Sequence, residues 1–250
     1  MRVTLLLTSC IQPNQFKEKV KRNEPIQRLN DYLSAIEKWN RHKWPCEVRI
    51  VYIDNSGYPL HEIKQKINPS FNPILLSYQA EIAPEGMHYG YSEIEMITKS
   101  ILRENFWEEN DWVIKITGRL YFPAINRLIN QLTSKKDWVS DVRAKKWNKS
   151  GFSYIPSSIF AFKVGFFKKH LLEAKTEMVQ LNLSHLELYL FHKINPIYQK
   201  EKQKIMIRLP FNLNPEGVGA HWNKTYGNAS DRLVQTARTL LRKVAPFLWV

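Results

Sequence analysis

The stretch DWVIKITGRLYFP, Asp111 to Pro123, decides how this chain is read. Its first half has the apolar, β-branched composition of a buried strand, yet Lys115 sits inside it and Arg119 follows four residues later, just past its end. A buried cation without a partner is costly, so the pair implies an anion. Three solutions are open at this stage. The cations pair with acidic neighbours such as Asp111 or Asp141, their stems carry the charges to solvent, or they meet an anionic ligand at the strand's end.

Outward from that stretch, strands alternate with helical spacings. Val3 to Leu7 is a short apolar strand ending in Thr8 and Ser9, and residues 25–41 place Ile26, Leu29, Leu33, Ile36 and Trp39 at helical intervals. A second strand, Val48 to Ile53, closes on the turn Asp54-Asn55-Ser56-Gly57, and a third covers Ile74 to Ser77. A helix is predicted from Ser92, as N-cap, to Phe106 on the spacing of Ile94, Ile97, Ile101 and Leu102. DWVIKIT is then the fourth strand. This order predicts an α/β fold with a central, mainly parallel sheet. Further on, helices are expected near 123–133, 165–180 and 184–194, and strands at Trp138–Val142, Ser158–Phe162 and Lys204–Leu209.

The 250 residues, 44% hydrophobic and 12% aromatic, suffice for one large core, and no linker or low-complexity tract divides them. A single domain over residues 1–229 followed by a C-terminal helix over 230–250 is the expected organisation. The balance of 37 Lys and Arg against 23 Asp and Glu gives +14, which implies a polyanionic partner: nucleic acid, an anionic lipid surface or a phosphorylated substrate. Zinc-finger, RRM and helix-turn-helix signatures are missing, so nucleic acid is not the expected partner. Cys10 and Cys46 match no metal or redox spacing and read as free thiols in a reducing compartment. MRVTLLLTSC is too short for a secretory leader, which needs roughly 15–30 residues. No run approaches the roughly 20 apolar residues of a spanning helix. The expected location is cytoplasmic, with contact at the inner face of the membrane.

Several positions carry candidate chemistry. Asp54, at a strand end with Asn55 and Ser56, reads either as a tight turn or as an acceptor for a nucleotide's base or ribose. Gly90-Tyr91-Ser92-Glu93 lacks the spacing of a P-loop or dinucleotide fingerprint, but a small-residue turn at a helix N-terminus also offers N–H groups to an anion. Glu187 in SHLELYLFH is a candidate general base or a residue on a solvated helix face. His185 and His192 find no third ligand, so a metal site there is not expected. The loop Asn214 to Gly227 carries Gly217, Gly219, His221, Trp222, Lys224 and Tyr226 and reads as a segment able to close over a ligand, or as a surface loop.

The C-terminal segment SDRLVQTARTLLRKVAPFLWV puts Leu233, Val234, Ala237, Leu240, Leu241 and Val244 on one side of a helix, with Arg232, Arg238, Arg242 and Lys243 around the rest. A basic amphipathic helix with the aromatic end Phe247-Leu248-Trp249 fits a membrane surface. Docking of the apolar face on the protein's own core is the alternative.

Taken together, LLLTS, VYIDNS, GYSEIE and IKITGRLYF resemble bacterial glycosyltransferases of the GT-A (Rossmann-like) fold, in particular those of polysaccharide and O-antigen synthesis. The resemblance implies a nucleotide-sugar donor bound near Thr8, Ser9, Asp54, Asn55, Ser56, Gly90, Lys115, Thr117 and Arg119, with His221 and Lys224 closing on its diphosphate. It implies a hydroxyl of a glycan, lipid-linked or free, as acceptor. Classical members end the fourth strand in Asp-x-Asp, which holds a divalent metal. Here that place is Ile116-Thr117-Gly118-Arg119, so the resemblance is to subgroups without the motif, and no metal or other cofactor is expected. A carboxylate early in the helix after the SIFAF strand acts as base in the family, which points to Glu187, with Asp141 as second choice. Inversion by single displacement is the expected course, with retention as the alternative. A basic nucleic-acid-binding protein and a non-catalytic member of the fold are the competing expectations.

Overall fold

The computed structural model describes residues 2–13, 21–144, 153–219 and 223–244. Its centre is β1 (Arg2–Ser9), which leads through α1 (Pro25–Arg41) to β2 (Glu47–Asp54) and through α2 (His61–Lys66) to β3 (Ile74–Ser77). Next come α3 (Gly90–Arg103) and β4 (Trp112–Thr117), followed by β5 (Leu120–Tyr121), α4 (Ile125–Ile129) and β6 (Trp138–Val139). A short hairpin pairs β7 (Arg143–Ala144) with β8 (Ser153–Tyr154) and precedes β9 (Ile159–Lys163). Beyond it lie α5 (Val164–His170), α6 (Ala174–Gln180), α7 (Leu186–Lys200) and β10 (Ile205–Met206). The described chain ends with β11 (Glu216–Gly219), β12 (Lys224–Tyr226) and α8 (Ala229–Val244).

Seven strands form one sheet in the order β10-β6-β9-β4-β1-β2-β3. All pairings are parallel except those of β9, which runs antiparallel to both β4 and β6. β1 shows why the sheet is covered on both faces: Val3, Leu5 and Leu7 pack against Tyr32, Ile36 and Trp39 of α1, while Leu6 packs with Ile94, Ile97 and Tyr189 on the other face. Each of these leucines is fully buried, a contribution of about 1.5–3 kcal/mol apiece. A two-sided core demands the near-continuous apolar runs seen in β1, β2 and β4.

The sheet also brings the polar strand ends together. Ser9 pairs with Asp54 in the β1–β2 register, and Thr8 lies beside Ile53 on one side and Thr117 on the other. Three polar C-terminal ends therefore meet at one edge, where open α/β sheets bind ligands.

Several boundaries differ from the sequence expectations. α3 starts at Gly90 with Tyr89 as N-cap, and Ser92 is buried in the first turn instead of capping it. The reason is close packing: a Cβ at Gly90 would come within 2.6 Å of Leu186 Cβ, so glycine lets α3 approach α7. The stretch expected as one helix over 165–180 is two, broken between His170 and Ala174, and the helix expected over 184–194 runs to Lys200 with Pro196 inside it. The helix near 123–133 is a single short turn of five residues, and the strands at 138 and 205 keep two residues each.

A three-stranded sheet, β12-β11-β5, stands over the end of β4. Gly217 makes the approach possible. Its φ is +126°, and a Cβ there would fall 2.3 Å from the Arg119 carbonyl oxygen.

Candidate functional site

A cleft of about 1760 Å³ opens at the C-terminal edge of the parallel strands. Of the residues expected to bind a nucleotide-sugar, Thr8, Ser9, Asn55, Ser56, Thr117, Arg119 and Lys224 line it, and so does Glu187. Asp54, Gly90, Lys115 and Asp141 do not, and each has a structural reason. His221 lies outside the described residues.

Asp54 is fully buried and its carboxylate is saturated. Oδ2 accepts from Ser9 Oγ at 2.7 Å and from the Ile11 N–H at 2.9 Å, while Oδ1 accepts from the Ser56 N–H at 2.7 Å and from Ser56 Oγ. It ties the end of β1 to the turn after β2 and offers no lone pair to a ligand. Its role as a nucleotide acceptor is therefore corrected to that of an organiser of the cleft floor. Gly90, likewise, is buried beneath Leu186 and serves helix packing, not anion binding.

Lys115 is the larger correction. Its side chain is fully buried, and its Nζ lies 2.6 Å from Glu93 Oε1, with the Ser157 carbonyl oxygen and Thr117 Oγ1 (3.3 Å) as further acceptors. Thr8 Oγ1 donates to the same Glu93 oxygen at 2.9 Å. Neither Asp111, which pairs with Arg2 at 3.8 Å, nor Asp141 is its partner. Burial lowers the Lys115 pKa, and the Glu93 carboxylate opposes that shift. The charge is thus paired inside the protein, beneath the lining of the cleft. Sequence spacing alone did not point to Glu93, although an acidic residue in the first turn of a helix facing strand ends is the available signal.

Arg119 behaves differently. Nη1 donates to Tyr32 Oη at 3.3 Å, and the guanidinium lies 6.0 Å from the centre of the Tyr32 ring. Its Nε is buried without a hydrogen-bond partner, and among the described residues it forms no ion pair with a carboxylate. A second guanidinium, Arg28, reaches the same cleft from α1, with Nε donating to the Cys10 carbonyl at 2.6 Å and Nη1 to the Arg22 carbonyl at 2.9 Å. The Cys10 N–H donates to Tyr32 Oη at 3.0 Å, so Tyr32 links the two arginines to the end of β1. Arg28 escaped the sequence reading, although an arginine within the buried stripe of Leu29, Tyr32, Ala35 and Ile36 is a detectable oddity.

Glu187 sits in the first turn of α7 and faces the cleft, so the solvated-face alternative is set aside. Its Oε1 accepts from Ser157 Oγ at 2.6 Å. Since the Ser157 carbonyl also accepts from Lys115, Ser157 joins the carboxylate to the buried Lys115–Glu93 pair. His88, Tyr89 and His185 form the adjoining wall, with the His88 ring 3.7 Å from Tyr89 and 4.4 Å from His185, while His192 is exposed outside the cleft. Burial, then the Glu187 and Glu93 carboxylates, push the Tyr89 hydroxyl up to about 12, so it keeps its proton at neutral pH.

Asp141 is committed elsewhere. Oδ1 and Oδ2 accept from Arg242 of α8 at 2.9 and 2.8 Å, and Oδ1 also accepts from the Leu209 N–H. This bidentate, buried pair holds Asp141 away from the cleft lining. Lys224 lies at the rim, with its Nζ 3.2 Å from Asp231 and 5.1 Å from the centre of the Tyr226 ring.

The end of β4 offers Thr117, Gly118 and Arg119 in place of carboxylates, and among the described residues no three His, Cys, Asp or Glu side chains converge on one point.

No protein-family model matches the chain, and no curated protein matches it in sequence. Solved structures do match in fold. An active-site mutant of LgtC superposes with a TM-score of 0.53 at 9% identity, over 96% of this chain and 96% of that one. GlyE, a glycosyltransferase of Streptococcus pneumoniae TIGR4, gives 0.46 at 8% identity over 84% of this chain, and mouse xyloside xylosyltransferase 1 gives 0.46 at 10% over 83% of this chain and 85% of its own. This chain spans about half of GlyE, 46%. The fold is thus the α/β arrangement of GT-A glycosyltransferases, with a mostly parallel seven-stranded sheet.

Proposed function

We propose that this protein is a glycosyltransferase of hexosyltransferase type. It moves a sugar from a nucleotide-sugar to a hydroxyl of a bacterial surface glycan, carried on a lipid at the cytoplasmic face of the membrane, as in O-antigen, lipopolysaccharide or capsule synthesis. The observation that supports this most is Arg119: a guanidinium at the strand-end cleft with a buried Nε that finds no acceptor among the described residues, in a fold shared with LgtC. A buried donor of this kind is costly until an acceptor arrives, and a diphosphate supplies several.

The donor's diphosphate lies against Arg119 and Arg28, with Lys224 of β12 at the rim. The nucleoside extends along Ser9, Asn55 and Ser56, and Thr8 and Thr117 line the floor. As the bond from the anomeric carbon to the phosphate oxygen breaks, its electron pair goes to the diphosphate. The growing charge is stabilised by fixed guanidinium groups without a metal. The acceptor oxygen attacks from the opposite face and gives its proton to Glu187, so the anomeric centre inverts. Ser157 orients Glu187, and the Lys115–Glu93 pair fixes Ser157. His88, Tyr89 and His185 give the acceptor sugar an aromatic wall.

The test is a panel of nucleotide-sugars, read by thermal shift and by release of nucleoside diphosphate. A shift and release with at least one donor, both reduced in Arg119→Ala, support the proposal. No response to any donor, combined with salt-sensitive binding of a short oligonucleotide, overturns it.

A further inference from the structure

α8 is attached to the domain by the side that an amphipathic helix ordinarily leaves in water. Asn212 Nδ2 donates to the Gln235 carbonyl at 2.9 Å and to Thr239 Oγ1 at 3.0 Å. Arg242, three residues beyond Thr239, is buried and makes the bidentate contact with Asp141, while its Nη1 also donates to the Leu209 and Phe211 carbonyls. Positions 235, 239 and 242 share one helical face. The opposite face carries Leu233, Val234, Ala237, Leu240, Leu241 and Val244, and all six are exposed: Leu233 at 72%, Leu240 at 57% and Val244 at 82%. The docking alternative is therefore only half right, because the helix docks but its apolar stripe does not. A continuous apolar stripe of this length marks an interaction surface.

Charge identifies what covers it. One carboxylate, Asp141, serves Arg242 at 2.8 Å and Arg143 Nε at 3.7 Å. Arg238, on the edge between the docked face and the stripe, stands in the field of Arg143, Arg242 and Asp141. The shoulder of the stripe is thus strongly positive. A second copy of a chain with net charge +14 would bring like charges together, whereas an anionic bilayer offers hydrocarbon to the leucines and phosphates to the arginines.

We infer that α8 is an interfacial helix whose Leu233–Val244 stripe enters an anionic bilayer while Arg143 and Arg238 meet lipid phosphates, with the Arg242–Asp141 pair fastening the domain to the membrane. The helix lies in the plane of the interface and does not cross it. This surface is independent of the transferase reading, since it needs neither donor nor acceptor.

The experiment is flotation of the full chain with vesicles of phosphatidylcholine alone or mixed in equal parts with phosphatidylglycerol. Binding to the mixed vesicles is expected to be at least about tenfold tighter than to the neutral ones. Leu233→Gln/Leu240→Gln/Leu241→Gln lowers binding to mixed vesicles by roughly tenfold or more without lowering the melting temperature, because those side chains are exposed. Arg143→Gln/Arg238→Gln lowers it by roughly tenfold and removes much of its salt dependence. Absence of wild-type binding to either vesicle, unchanged binding by the triple leucine variant, or a vesicle-free dimer lost in that variant would overturn the inference; the dimer would assign the stripe to a second copy. Donor binding measured without vesicles reports separately on the transferase reading.

Discussion

Lys115 Nζ lies 2.6 Å from Glu93 Oε1 at the floor of the cleft; the lysine is fully buried and the carboxylate mostly so, at the cleft lining. Removing one partner of such a pair leaves an uncompensated charge. Glu93→Gln is expected to destabilise the protein by about 3–5 kcal/mol, and Lys115→Met in that background to recover much of the loss. Denaturant unfolding of the four proteins in this cycle checks it. Additive losses in the double variant would show that the two groups do not act as a pair.

Arg119 supplies the cleft with a guanidinium that no carboxylate neutralises among the described residues. Its replacement by alanine removes charge-assisted hydrogen bonds of about 1.5–3 kcal/mol each. A loss of roughly tenfold or more in nucleoside diphosphate affinity is expected by calorimetry, with Arg119→Lys recovering only part because it lacks the planar fork. Unchanged affinity in Arg119→Ala would remove the residue from the site.

Glu187→Gln preserves size and a hydrogen bond to Ser157 but cannot take up a proton. Turnover is expected to fall by roughly 10²–10⁴ while donor affinity stays near that of the parent. An equal fall in donor affinity would make Glu187 a binding group instead of a base.

Chelation separates the two ways of stabilising a diphosphate. With Thr117, Gly118 and Arg119 where carboxylates would be needed, EDTA is expected to leave most of the activity intact. Complete loss on chelation, restored by a divalent cation, would contradict the arginine-based account.

Asp141→Asn tests the reassignment of that residue from chemistry to architecture. It removes the charge from the carboxylate that Arg242 contacts bidentately, and a stability loss of about 3–5 kcal/mol is expected with donor affinity retained. A stable protein that binds donor but has lost turnover would return Asp141 to the mechanism.

How far the sequence went is clearest at the two cations of the β4 stretch. The apolar runs and the turn after Ile53 located the strands of the central sheet and their polar ends because both follow from local composition. Helix spacing found α1 to the residue. The partner of Lys115 was hidden because Glu93 is brought to it by the packing of α3 against the sheet, and no local pattern encodes that meeting. For the same reason Asp54 and Asp141 looked like candidates: an acidic residue at a strand end reads alike whether its oxygens are free or already taken by Ser9, Ser56 and Ile11 or by Arg242. Amphipathicity located α8 but not its orientation, which is set by Asn212 and Asp141 far from it in sequence.

The most direct measurement is mass spectrometry of the products formed by the purified protein from pooled nucleotide-sugars and an extracted lipid-linked glycan in the presence of EDTA. The account predicts a glycan heavier by one sugar unit, formed by the parent and by Asp141→Asn but at least about a hundredfold more slowly by Glu187→Gln. No added sugar with any donor, or equal product from Glu187→Gln, would contradict it.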